Sequence, residues 1–578
     1  MAGGLGVSGG VGAIDKSKVH SHLSIKKLSI RQDRALFLNL LTFAQAYNFH
    51  EVSRFDRWLL LAFIAVLPPA LLINLGLPAF IDDEGIRSLV ALEMKLSGNY
   101  IVPTLNGVYY YNKPPLYNWI LLAAFELSGR VNELVARIPT VLCLLGYAAT
   151  MAYYFRKHYG LRTALLNAVV MITCGRILFW DSLLGLIDIC FSWVMFTMFM
   201  VIFHQFRKGR FYQLFFLSYL LCAIGFLMKG LPAMVFQVTT LFVYFAYWRR
   251  LRRFFSTAHV VGGLTFLFVV GAYYLAYHQY NSLENVFGTL FVESSKRTVT
   301  HNGWTETVIH LFTFPFEMVY HFLPWSLLVI YLFKKGIYSE ITKDPFIAFN
   351  LIAFLSNIIV YWTSPAVYPR YLLMLAPLLF SVFIYLHDLR KQQNAWQYRF
   401  LEPFFGVVCG LIALAWLAPP FMERLDGLVN YIVPKTAFMV ASLGAITYFY
   451  WTQKERRLLL LALFLLVFRI GFNWFVLPDR NANDFGDLCR DTSIEVGREF
   501  AGKPLLIYGK TEMQITNSFY ITNAYGAIVR YHQDPVSPDV FYIIDPKLYP
   551  DLKYRKVAEF KVRHGQLTYD IGVINSAN

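Results

Sequence analysis

The sequence predicts a polytopic α-helical membrane protein that ends in a small α/β domain. The first of three observations is composition: 57% of the 578 residues are apolar and 15% are charged, whereas a soluble chain of this length has roughly a quarter of its residues charged. The second is a series of long apolar runs between short basic loops, and the third is a change to a soluble composition near Leu477. Lipid is therefore the solvent for most of the chain.

The apolar runs predict the membrane helices. A span needs about 20 mostly apolar residues, and about 13 segments satisfy this requirement. They are 58–80, 133–155, 163–180, 186–206, 211–228, 231–248, 257–277, 311–333, 347–363, 369–388, 401–419, 433–452 and 457–476. The preceding residues, 1–57, lack the apolar core and cleavage site of a secretory signal. They are predicted to be a cytoplasmic tail with a short amphipathic helix around Leu36–Phe43.

The basic residues predict the orientation. The net charge of +16 does not indicate a nucleic-acid groove, because the basic residues come in short bursts between apolar runs. With a cytoplasmic N-terminus, each burst follows an even-numbered helix, as the positive-inside rule requires. The bursts are Arg156–Lys157, Arg207–Lys208, Arg249–Arg253, Lys334–Lys335, Arg390–Lys391 and Lys454–Arg457. The C-terminal domain is then extracytoplasmic, and the expected location is the bacterial inner (plasma) membrane.

Three domains follow from this organisation: the tail 1–57, a transmembrane domain 58–476 with a long extracytoplasmic loop at 81–132, and a soluble α/β domain 477–578. Because Pro114 and Pro115 suit the first turn of a helix, the apolar stretch Leu116–Leu127 is predicted to be a helix lying on the membrane. In the last domain, helical stretches at 484–500 and 514–523 and β-like runs at 505–508, 527–529, 540–544, 557–562 and 568–574 are predicted.

The cysteines do not indicate a disulfide framework. All but Cys489 fall in apolar runs, where they are predicted to pack as small hydrophobes; they are Cys143, Cys174, Cys190, Cys222 and Cys409. No cysteine spacing of the metal-binding kind is present in the sequence.

Ionisable residues associated with the predicted spans crowd toward the extracytoplasmic end. A charged side chain in a span costs free energy, so each one is a functional candidate by default. They are Asp83, Glu84, Arg137, Arg176, Asp188, Lys229, Glu317, His321 and Arg370. Taken singly, an acidic residue here can cap a helix, an arginine can anchor at the interface, and a histidine can be a satisfied core residue. A single cavity that is open at that face and lined by carboxylates and cations would explain why all of these residues lie on the same side.

The loop after the first span carries motifs in a specific order. They are Asp83-Glu84-Gly85, then Val102-Pro103-Thr104-Leu105-Asn106-Gly107, then Lys113-Pro114-Pro115-Leu116, with Arg137-Ile138-Pro139 in the next span. This order resembles the first periplasmic loop of aminoarabinose transferases and protein O-mannosyltransferase-like enzymes, the membrane glycosyltransferases of the GT-C architecture. Weaker similarities follow at Ile187-Asp188, Lys229-Gly230, Glu293 to Arg297, Pro324-Trp325 and Arg370-Tyr371 with Pro377. Asn112 departs from the pattern, because aminoarabinose transferases tend to carry an acidic residue there.

The resemblance implies a reaction and a set of residues. Such enzymes move a sugar from a polyprenyl-phosphate carrier to an acceptor at the outer face of the membrane. Asp83 is implied as the base for an inverting displacement, with Glu84 and Asp188 as further catalytic carboxylates. The substrate-binding residues implied are Lys113, Lys229, Arg370, Arg137, Arg297 and Tyr111. No cofactor is implied with certainty, and a divalent metal stays open because of the carboxylates.

Two other classes of protein compete with an enzyme. A transporter or flippase also places charges in a cavity, but usually near the midplane on interrupted helices, whereas these charges crowd one face. A scaffold protein would leave the motifs of the first loop unexplained. The acceptor stays open among lipid A, a glycan, and Ser or Thr of an exported protein. The C-terminal domain is expected to sit over the cavity and to help choose the acceptor.

Overall fold

The computed structural model describes residues 53–81, 83–295, 304–532, 536–563 and 565–574. The predicted amphipathic helix around Leu36–Phe43 and nearly all of the tail lie outside these residues. Contacts divide the chain into two units, Met1–Ile64 and Ala65–Asn578. In the described part of the first unit, helix α1 (Arg54–Leu72) begins with a reciprocal pair of hydrogen bonds between Ser53 and Asp56.

Most of the second unit is a bundle of helices. They are α2 (Glu84–Ser97), α3 (Leu116–Ser128), α4 (Glu133–Arg156), α5 (Leu161–Thr173), α6 (Gly175–Phe179), α7 (Ile187–Arg207), α8 (Phe211–Lys229), α9 (Pro232–Tyr247), α10 (Thr257–His278), α11 (Glu284–Ser295), α12 (Trp304–His321), α13 (Ile337–Ile341), α14 (Pro345–Trp362), α15 (Ala376–Gln392), α16 (Trp396–Ala415), α17 (Ile432–Thr452), α18 (Arg457–Gly471) and α19 (Leu477–Asn483). Short 3₁₀ helices are interspersed, among them Asp181–Leu183, Trp325–Leu332 and Pro369–Leu372. A π-helical turn, Phe472–Val476, joins α18 to α19.

Within the described residues, nine helices are long and apolar enough to cross a membrane, or ten if α5 and the segment Gly175–Leu183 form one span bent by 47°. The chain is thus an integral membrane protein of the predicted polytopic helical class. Three predicted segments are helical without forming one long span: 231–248 contains the sixteen-residue α9, and 311–333 and 369–388 are each divided between an α-helix and a 3₁₀ helix. Pro324 lies at the break within 311–333, because proline cannot continue the helical hydrogen bonding.

Basic bursts from separate loops meet at one end of the bundle. Lys334 Nζ donates to Gln393 Oε1 over 2.8 Å, and Lys391 Nζ donates to Glu455 Oε2 over 2.7 Å. These two bonds join three of the predicted basic loops. Helix α8 begins just after the basic burst Arg207–Lys208 and ends with Lys229. Lys229 therefore lies at the opposite end of the bundle, where the candidate site is.

Two membrane-segment cysteines form a disulfide. Cys143 of α4 and Cys190 of α7 are bonded, with Cα atoms 5.2 Å apart. The prediction that these two residues pack as separate hydrophobes is wrong, because α4 and α7 pack side by side and bring the two positions together. Cys174, Cys222 and Cys409 are free and buried as predicted.

The C-terminal domain is a five-stranded sheet with two helices. Its elements are α20 (Gly486–Glu499), β3 (Leu505–Ile507), α21 (Ile515–Tyr525), β4 (Arg530–Tyr531), β5 (Phe541–Ile544), β6 (Arg555–Val562) and β7 (Leu567–Val573). The strand order is β4-β3-β5-β7-β6, with β3 parallel to both neighbours and β7 antiparallel to both of its own. The β-like runs of the sequence coincide with these strands, except that the run at 527–529 lies just before β4. Apolar side chains such as Val496, Ile521 and Ile543 form the core.

The C-terminal domain packs on the loop after the first span. Helix α21 lies against α2, and a Cβ on Gly85 would come within 2.9 Å of Thr516 Cγ2. The hydroxyl of Tyr520 donates to Glu133 Oε1 over 2.9 Å and accepts from the Phe80 N–H over 2.8 Å. Because one buried side chain of the soluble domain joins both ends of the loop, the domain helps to fix the shape of the loop.

Replacing Tyr520 by phenylalanine is expected to loosen this contact. The change leaves the Phe80 N–H and a Glu133 oxygen without their buried partner, which costs about 1–3 kcal/mol. Hydrogen exchange of backbone amides in α2 and α21 should therefore become faster. Tyr525→Phe is the matched control, because the Tyr525 hydroxyl donates to Lys503 O within the domain. Equal exchange rates in both variants would contradict the role of Tyr520 in holding the loop to the C-terminal domain.

Candidate active site

Two motifs of the first loop build a small hairpin. Thr104–Leu105 (β1) pairs antiparallel with Val108–Tyr109 (β2) across Asn106 and Gly107, whose φ angles are 52° and 74°. Positive φ at both central residues is the geometry of a type I′ turn and explains the Asn-Gly sequence. Glu93 of α2 accepts hydrogen bonds from Thr104 Oγ1 (2.6 Å), Asn106 N–H (2.6 Å) and Gly107 N–H (3.2 Å). Burial raises the pKa of Glu93, and these hydrogen bonds oppose that rise.

Four of the predicted site residues form a chain of ion pairs. Arg370 Nη2 donates to Asp83 Oδ2 over 3.0 Å, and Arg370 Nε lies 3.6 Å from Asp188 Oδ2. Lys229 Nζ donates to the other oxygen of Asp188. The elements are the residue before α2, the 3₁₀ helix Pro369–Leu372, the first turn of α7 and the last turn of α8. The helix termini suit their charges, because an N-terminus favours an anion and a C-terminus favours a cation.

Asp83 differs from the other members of this ion-pair chain in its access to solvent. Its side chain is 45% exposed, whereas Arg370 and Asp188 are 3% and 5% exposed. Tyr371 and Tyr368 pack against the two cations, with Lys229 Nζ 4.1 Å from the Tyr371 ring centroid and Arg370 Cζ 4.6 Å from that of Tyr368. Asp83 is thus an accessible carboxylate whose partner is held in place by buried neighbours.

Glu84 and Arg137 form a separate, fully enclosed pair. Arg137 Nε and Nη2 donate to the two Glu84 oxygens over 2.8 and 2.9 Å, and both side chains are buried. Glu84 also accepts from the N–H groups of Ile81 (3.1 Å) and Gly185 (2.7 Å). The remaining Arg137 N–H groups donate to backbone carbonyls between Leu75 and Ala79. The structure therefore places these two predicted site residues beneath the loop and away from the exposed carboxylate of Asp83.

Replacing Arg137 by methionine is expected to lower the free energy of unfolding by about 3–5 kcal/mol, because it leaves the buried Glu84 carboxylate without its cation. Thermal unfolding in detergent should show a clear fall in the midpoint. Arg130, which is exposed in the same loop, provides the control, and Arg130→Met should leave the midpoint unchanged. A stable Arg137→Met variant would contradict the structural role of the pair.

Lys113 and Tyr111 line a pocket. Its wall includes Tyr273 and Tyr277 of α10 and Leu290 of α11, so it is mostly aromatic and apolar around one lysine. The Tyr111 hydroxyl accepts a hydrogen bond from Asn281 Nδ2 over 3.2 Å. This pocket shares no lining residue with the ion-pair chain of Asp83, Arg370, Asp188 and Lys229.

Arg87 is a buried cation that the sequence analysis missed. It lies one helical turn after Asp83, and its Nη2 donates to the hydroxyl of Tyr110, a lining residue of the Lys113 pocket, over 3.0 Å. Among the described residues, Arg87 forms no ion pair, and its Nε has no hydrogen-bond partner. Burial raises the pKa of Tyr110, the cationic Arg87 opposes this, and the charges of Asp83 and Glu293 add to it. Its spacing of four residues from Asp83 was the signal available in the sequence.

Asp181 is the second residue that the sequence analysis missed. It lies in the 3₁₀ helix that follows α6, is buried, and accepts from Arg176 Nε over 3.0 Å. A charged residue directly after the predicted span 163–180 was the signal in the sequence. Asp181 is therefore a further carboxylate at the same end of the bundle, and Arg176 is its ion-pair partner.

The sequence analysis raised two possible ligand contacts, a phosphate at Arg297 and a divalent metal at the carboxylates. Arg297 lies outside the described residues, so its predicted contact with phosphate stays a prediction. Among the residues that the structure describes, no group of three or more His, Cys, Asp or Glu side chains could hold a metal ion. The carboxylates Asp83, Asp188 and Asp181 each have a cationic partner instead.

Comparisons with known proteins agree with this architecture. Residues 112–276 match the family model described as dolichyl-phosphate-mannose-protein mannosyltransferase. An undecaprenyl phosphate-alpha-4-amino-4-deoxy-L-arabinose arabinosyl transferase of Proteus mirabilis is 27% identical over 167 residues, which are 27% of this chain and 30% of that protein. An uncharacterized protein of Aquifex aeolicus is 22% identical over 343 residues, 57% of this chain and 66% of its own. The chain spans less than two thirds of the length of the curated relatives it matches.

A solved structure shows the fold over nearly the whole chain. ArnT from Cupriavidus metallidurans, crystallised with undecaprenyl phosphate, superposes with a TM-score of 0.65 at 17% identity and covers 90% of this chain and 98% of its own. The same protein in its apo state gives a TM-score of 0.63 at 16% identity. The resemblance to GT-C membrane glycosyltransferases and the predicted fold class are therefore confirmed.

Proposed function

We propose that the protein transfers a sugar from a polyprenyl-phosphate donor to an acceptor at the outer face of the membrane, with inversion at the anomeric carbon. The observation that carries this proposal is the position of Asp83. Its carboxylate is accessible, is held by the buried Arg370, and lies beside the buried Asp188–Lys229 pair. The matched family model and the Proteus relative, which acts on an undecaprenyl-phosphate-linked sugar by its name, support the same reaction class.

Asp83 would act as the general base. The acceptor's hydroxyl or amine attacks the anomeric carbon of the donor sugar, its proton passes to the Asp83 carboxylate, and the bond from that carbon to the phosphate oxygen breaks. Arg370 holds the carboxylate in place through the hydrogen bond from its Nη2. A positioned base contributes typically about 10²–10⁴ in rate.

The leaving phosphate would bind on the side of the Lys113 pocket. Arg87 brings a buried guanidinium with no carboxylate partner among the described residues, and it contacts Tyr110 at the pocket wall. Lys113 and Arg87 would neutralise the polyprenyl phosphate through charge-assisted hydrogen bonds, with Tyr111 beside them and Arg297 as a further candidate. The tyrosine-rich wall suits the first apolar units of a carrier lipid.

The remaining candidate residues would hold the base and the substrates in position. Lys229 and Arg370 stabilise Asp188 and Asp83 and would moderate the negative charge that develops as the glycosidic bond breaks. Asp188 would orient the acceptor or hold Lys229 in place. Glu84 and Arg137 have no accessible donor or acceptor left, so we assign them the role of supporting the loop that carries Asp83.

The orientation is proposed from the basic loops. The positive-inside rule assigns the end that carries Lys334, Lys391 and their neighbours to the cytoplasm. Since α8 connects that end to Lys229, the site and the C-terminal domain would be extracytoplasmic, in the inner membrane of a bacterium. A cysteine-accessibility scan of one basic loop and of the exposed Lys510 turn in intact cells would check this assignment.

The function can be tested with purified protein in lipid nanodiscs and radiolabelled sugars on undecaprenyl phosphate. The expected result is transfer of label from the carrier to an acceptor in a membrane extract, with release of undecaprenyl phosphate. Movement of carrier lipid across a sealed vesicle without cleavage of the sugar–phosphate bond would overturn the proposal in favour of a transporter.

A further inference from the structure

Two loops at the end of the bundle opposite the ion-pair chain form one cationic surface. The loop between α7 and α8 and the loop between α9 and α10 together carry seven basic residues and no acidic one. The seven are Arg207, Lys208, Arg210, Arg249, Arg250, Arg252 and Arg253, and all of them are exposed. These residues are called the two-loop cationic patch below.

Aromatic side chains hold the two loops together. The guanidinium carbon of Arg250 lies 5.5 Å from the centroid of the Phe206 ring, and that of Arg253 lies 4.6 Å from the centroid of the Phe211 ring. The rings of Phe206 and Trp248 also pack, with centroids 6.4 Å apart. Each of these contacts joins one loop to the other. Packing therefore brings the cations of both loops into one surface.

The patch lacks the carboxylates that balance other basic loops of this end. There, glutamates form the ion pairs Glu340 with Lys334 and Arg390, Glu455 with Lys391, and Glu402 with Arg457. Within the described part of the chain, no cation of the patch has a carboxylate as an ion-pair partner. Because like charges repel one another, a surface of this kind favours a bound anion.

The patch contains a groove with both polar and apolar walls. Its volume is about 680 Å³, and its lining consists of the four arginines of the second loop with Ala246 and Leu251. Arg252 and Phe255 are three residues apart in the 3₁₀ helix Leu251–Phe255, and so they lie on the same side of it. The Phe255 side chain is 93% exposed. A cation and a large apolar ring thus share one side of a short helix.

The aromatic residues beside the patch favour lipid over a soluble partner. Tyrosine and tryptophan are enriched where membrane helices meet the head groups, and Tyr212 and Trp248 are exposed at the ends of α8 and α9. An acidic protein or a nucleic acid would neutralise the arginines but would not require the apolar ring of Phe255. A phospholipid supplies a phosphate for the arginines and acyl chains for the ring.

We propose that the two-loop cationic patch binds the head group of an anionic phospholipid. An arginine can donate two parallel hydrogen bonds to one phosphate group, and juxtamembrane clusters of about four to eight basic residues are typical of sites for acidic lipids. With the orientation proposed above, this lipid lies in the cytoplasmic leaflet. The inference does not depend on the proposed reaction.

The position of the patch gives the lipid a structural role. Helix α7 carries Asp188 in its first turn and ends at the patch, whereas α8 begins there and carries Lys229 in its last turn. A lipid bound across both loops would therefore join helices that hold two members of the ion-pair chain. Since a ligand that binds only the folded protein stabilises it, phosphatidylglycerol should raise the midpoint of thermal unfolding, and phosphatidylcholine should not.

The first test maps the binding site without catalysis. The purified full-length protein is placed in phosphatidylcholine nanodiscs that contain a photoreactive phosphatidylglycerol with a diazirine near its glycerol backbone. Irradiation should label peptides that contain residues 207–210 and 249–253, and unlabelled phosphatidylglycerol should compete. Equal competition by added phosphatidylcholine would show that charge is not recognised and would overturn the proposal. Competition by inorganic phosphate at millimolar concentration would assign the patch to a free ion and would also overturn it.

The second test removes charge from the patch. Arg249→Gln with Arg252→Gln should raise the fraction of phosphatidylglycerol needed for half-maximal labelling about 25-fold, because each basic residue near an acidic membrane contributes about fivefold. Arg250 and Arg253 are retained, since they pack on the aromatic rings. Lys335→Gln with Lys343→Gln removes two exposed cations of the same end and should leave the value unchanged. Equal weakening in both double variants would show a general attraction of this end to acidic lipid and would overturn a site at the patch.

The third test distinguishes lipid from a soluble acidic partner. Phe255→Ser should weaken labelling by phosphatidylglycerol about tenfold, because an apolar contact with the acyl chains is lost. Phe421, which is 85% exposed at the opposite end of the bundle, provides the control, and Phe421→Ser should have no effect. Unchanged labelling in Phe255→Ser would show that charge alone binds the ligand, which favours a soluble acidic partner and would overturn the proposal.

Discussion

Asp83→Asn is expected to lower kcat for sugar transfer by about 10²–10⁴-fold, the usual contribution of a general base. The amide keeps the size of the side chain and can still accept the hydrogen bond from Arg370 Nη2, which spans 3.0 Å in the wild type. It cannot take up a proton from the acceptor. The loss should therefore appear in kcat, with the affinity for undecaprenyl phosphate nearly unchanged. Single-turnover transfer of radiolabelled sugar measures the first quantity, and equilibrium binding measures the second.

A surface carboxylate of the same loop gives the control for Asp83. Glu126 is exposed and pairs with Lys95 over 3.2 Å, so Glu126→Gln should retain full activity. Residual activity of Asp83→Asn within a few-fold of wild type would mean that another group accepts the proton. Asp188 would then be the first alternative, because it is the nearest carboxylate in the ion-pair chain.

Arg370→Met is expected to lower kcat/KM by about 10²–10³-fold, a loss typical of removing one preorganised electrostatic contact. The guanidinium contacts two carboxylates at once, Asp83 at 3.0 Å and Asp188 at 3.6 Å. Methionine retains most of the volume but frees the Asp83 side chain and leaves Asp188 with Lys229. Arg370→Lys should rescue little, because an ammonium group lacks the planar fork that reaches both carboxylates.

Two further measurements define the role of Arg370. The exposed Arg424, whose nearest carboxylate oxygen lies 3.9 Å away, is the control, and Arg424→Met should leave kcat/KM unchanged. In a double-mutant cycle, Asp83→Asn and Arg370→Met together should cost less than the product of the single losses, because residues that act as a unit are non-additive. Multiplicative losses would show that Arg370 acts on the substrate independently of Asp83.

The location of the helices and the class of the fold were predictable because membrane insertion depends mainly on local hydropathy. The short helix at Leu116–Ser128, the hairpin turn at Asn106-Gly107 and most strands of the last domain also follow from local rules of proline, glycine and β-propensity. The interruption of 311–333 was less predictable, because the segment is mostly apolar and only Pro315 and Pro324 mark a break in it. The disulfide between Cys143 and Cys190 required the packing of two helices.

The motifs of the first loop indicated which residues matter but not what each one does. Asp83 and Glu84 are neighbours in the sequence, and the sequence analysis treated both as catalytic. Their side chains nevertheless point in different directions: Asp83, the residue before α2, faces accessible space, and Glu84 points into the protein, where Arg137 and two backbone N–H groups surround it. Burial and partner together decide which carboxylate can accept a proton, and neither is a property of the local sequence.

The sequence by itself determined that this is a polytopic helical membrane protein, and it predicted the GT-C fold, a site at one end of the spans, and Asp83 as the candidate base. Only the tertiary structure decided that Arg370 joins Asp83 to Asp188, that Arg137 pairs with the buried Glu84, and that Arg87 lies beside the Lys113 pocket. The physical reason is range. Hydropathy and turn preferences act over a few neighbouring residues, whereas Asp83 and Arg370 are 287 positions apart and meet only when the helices between them have packed.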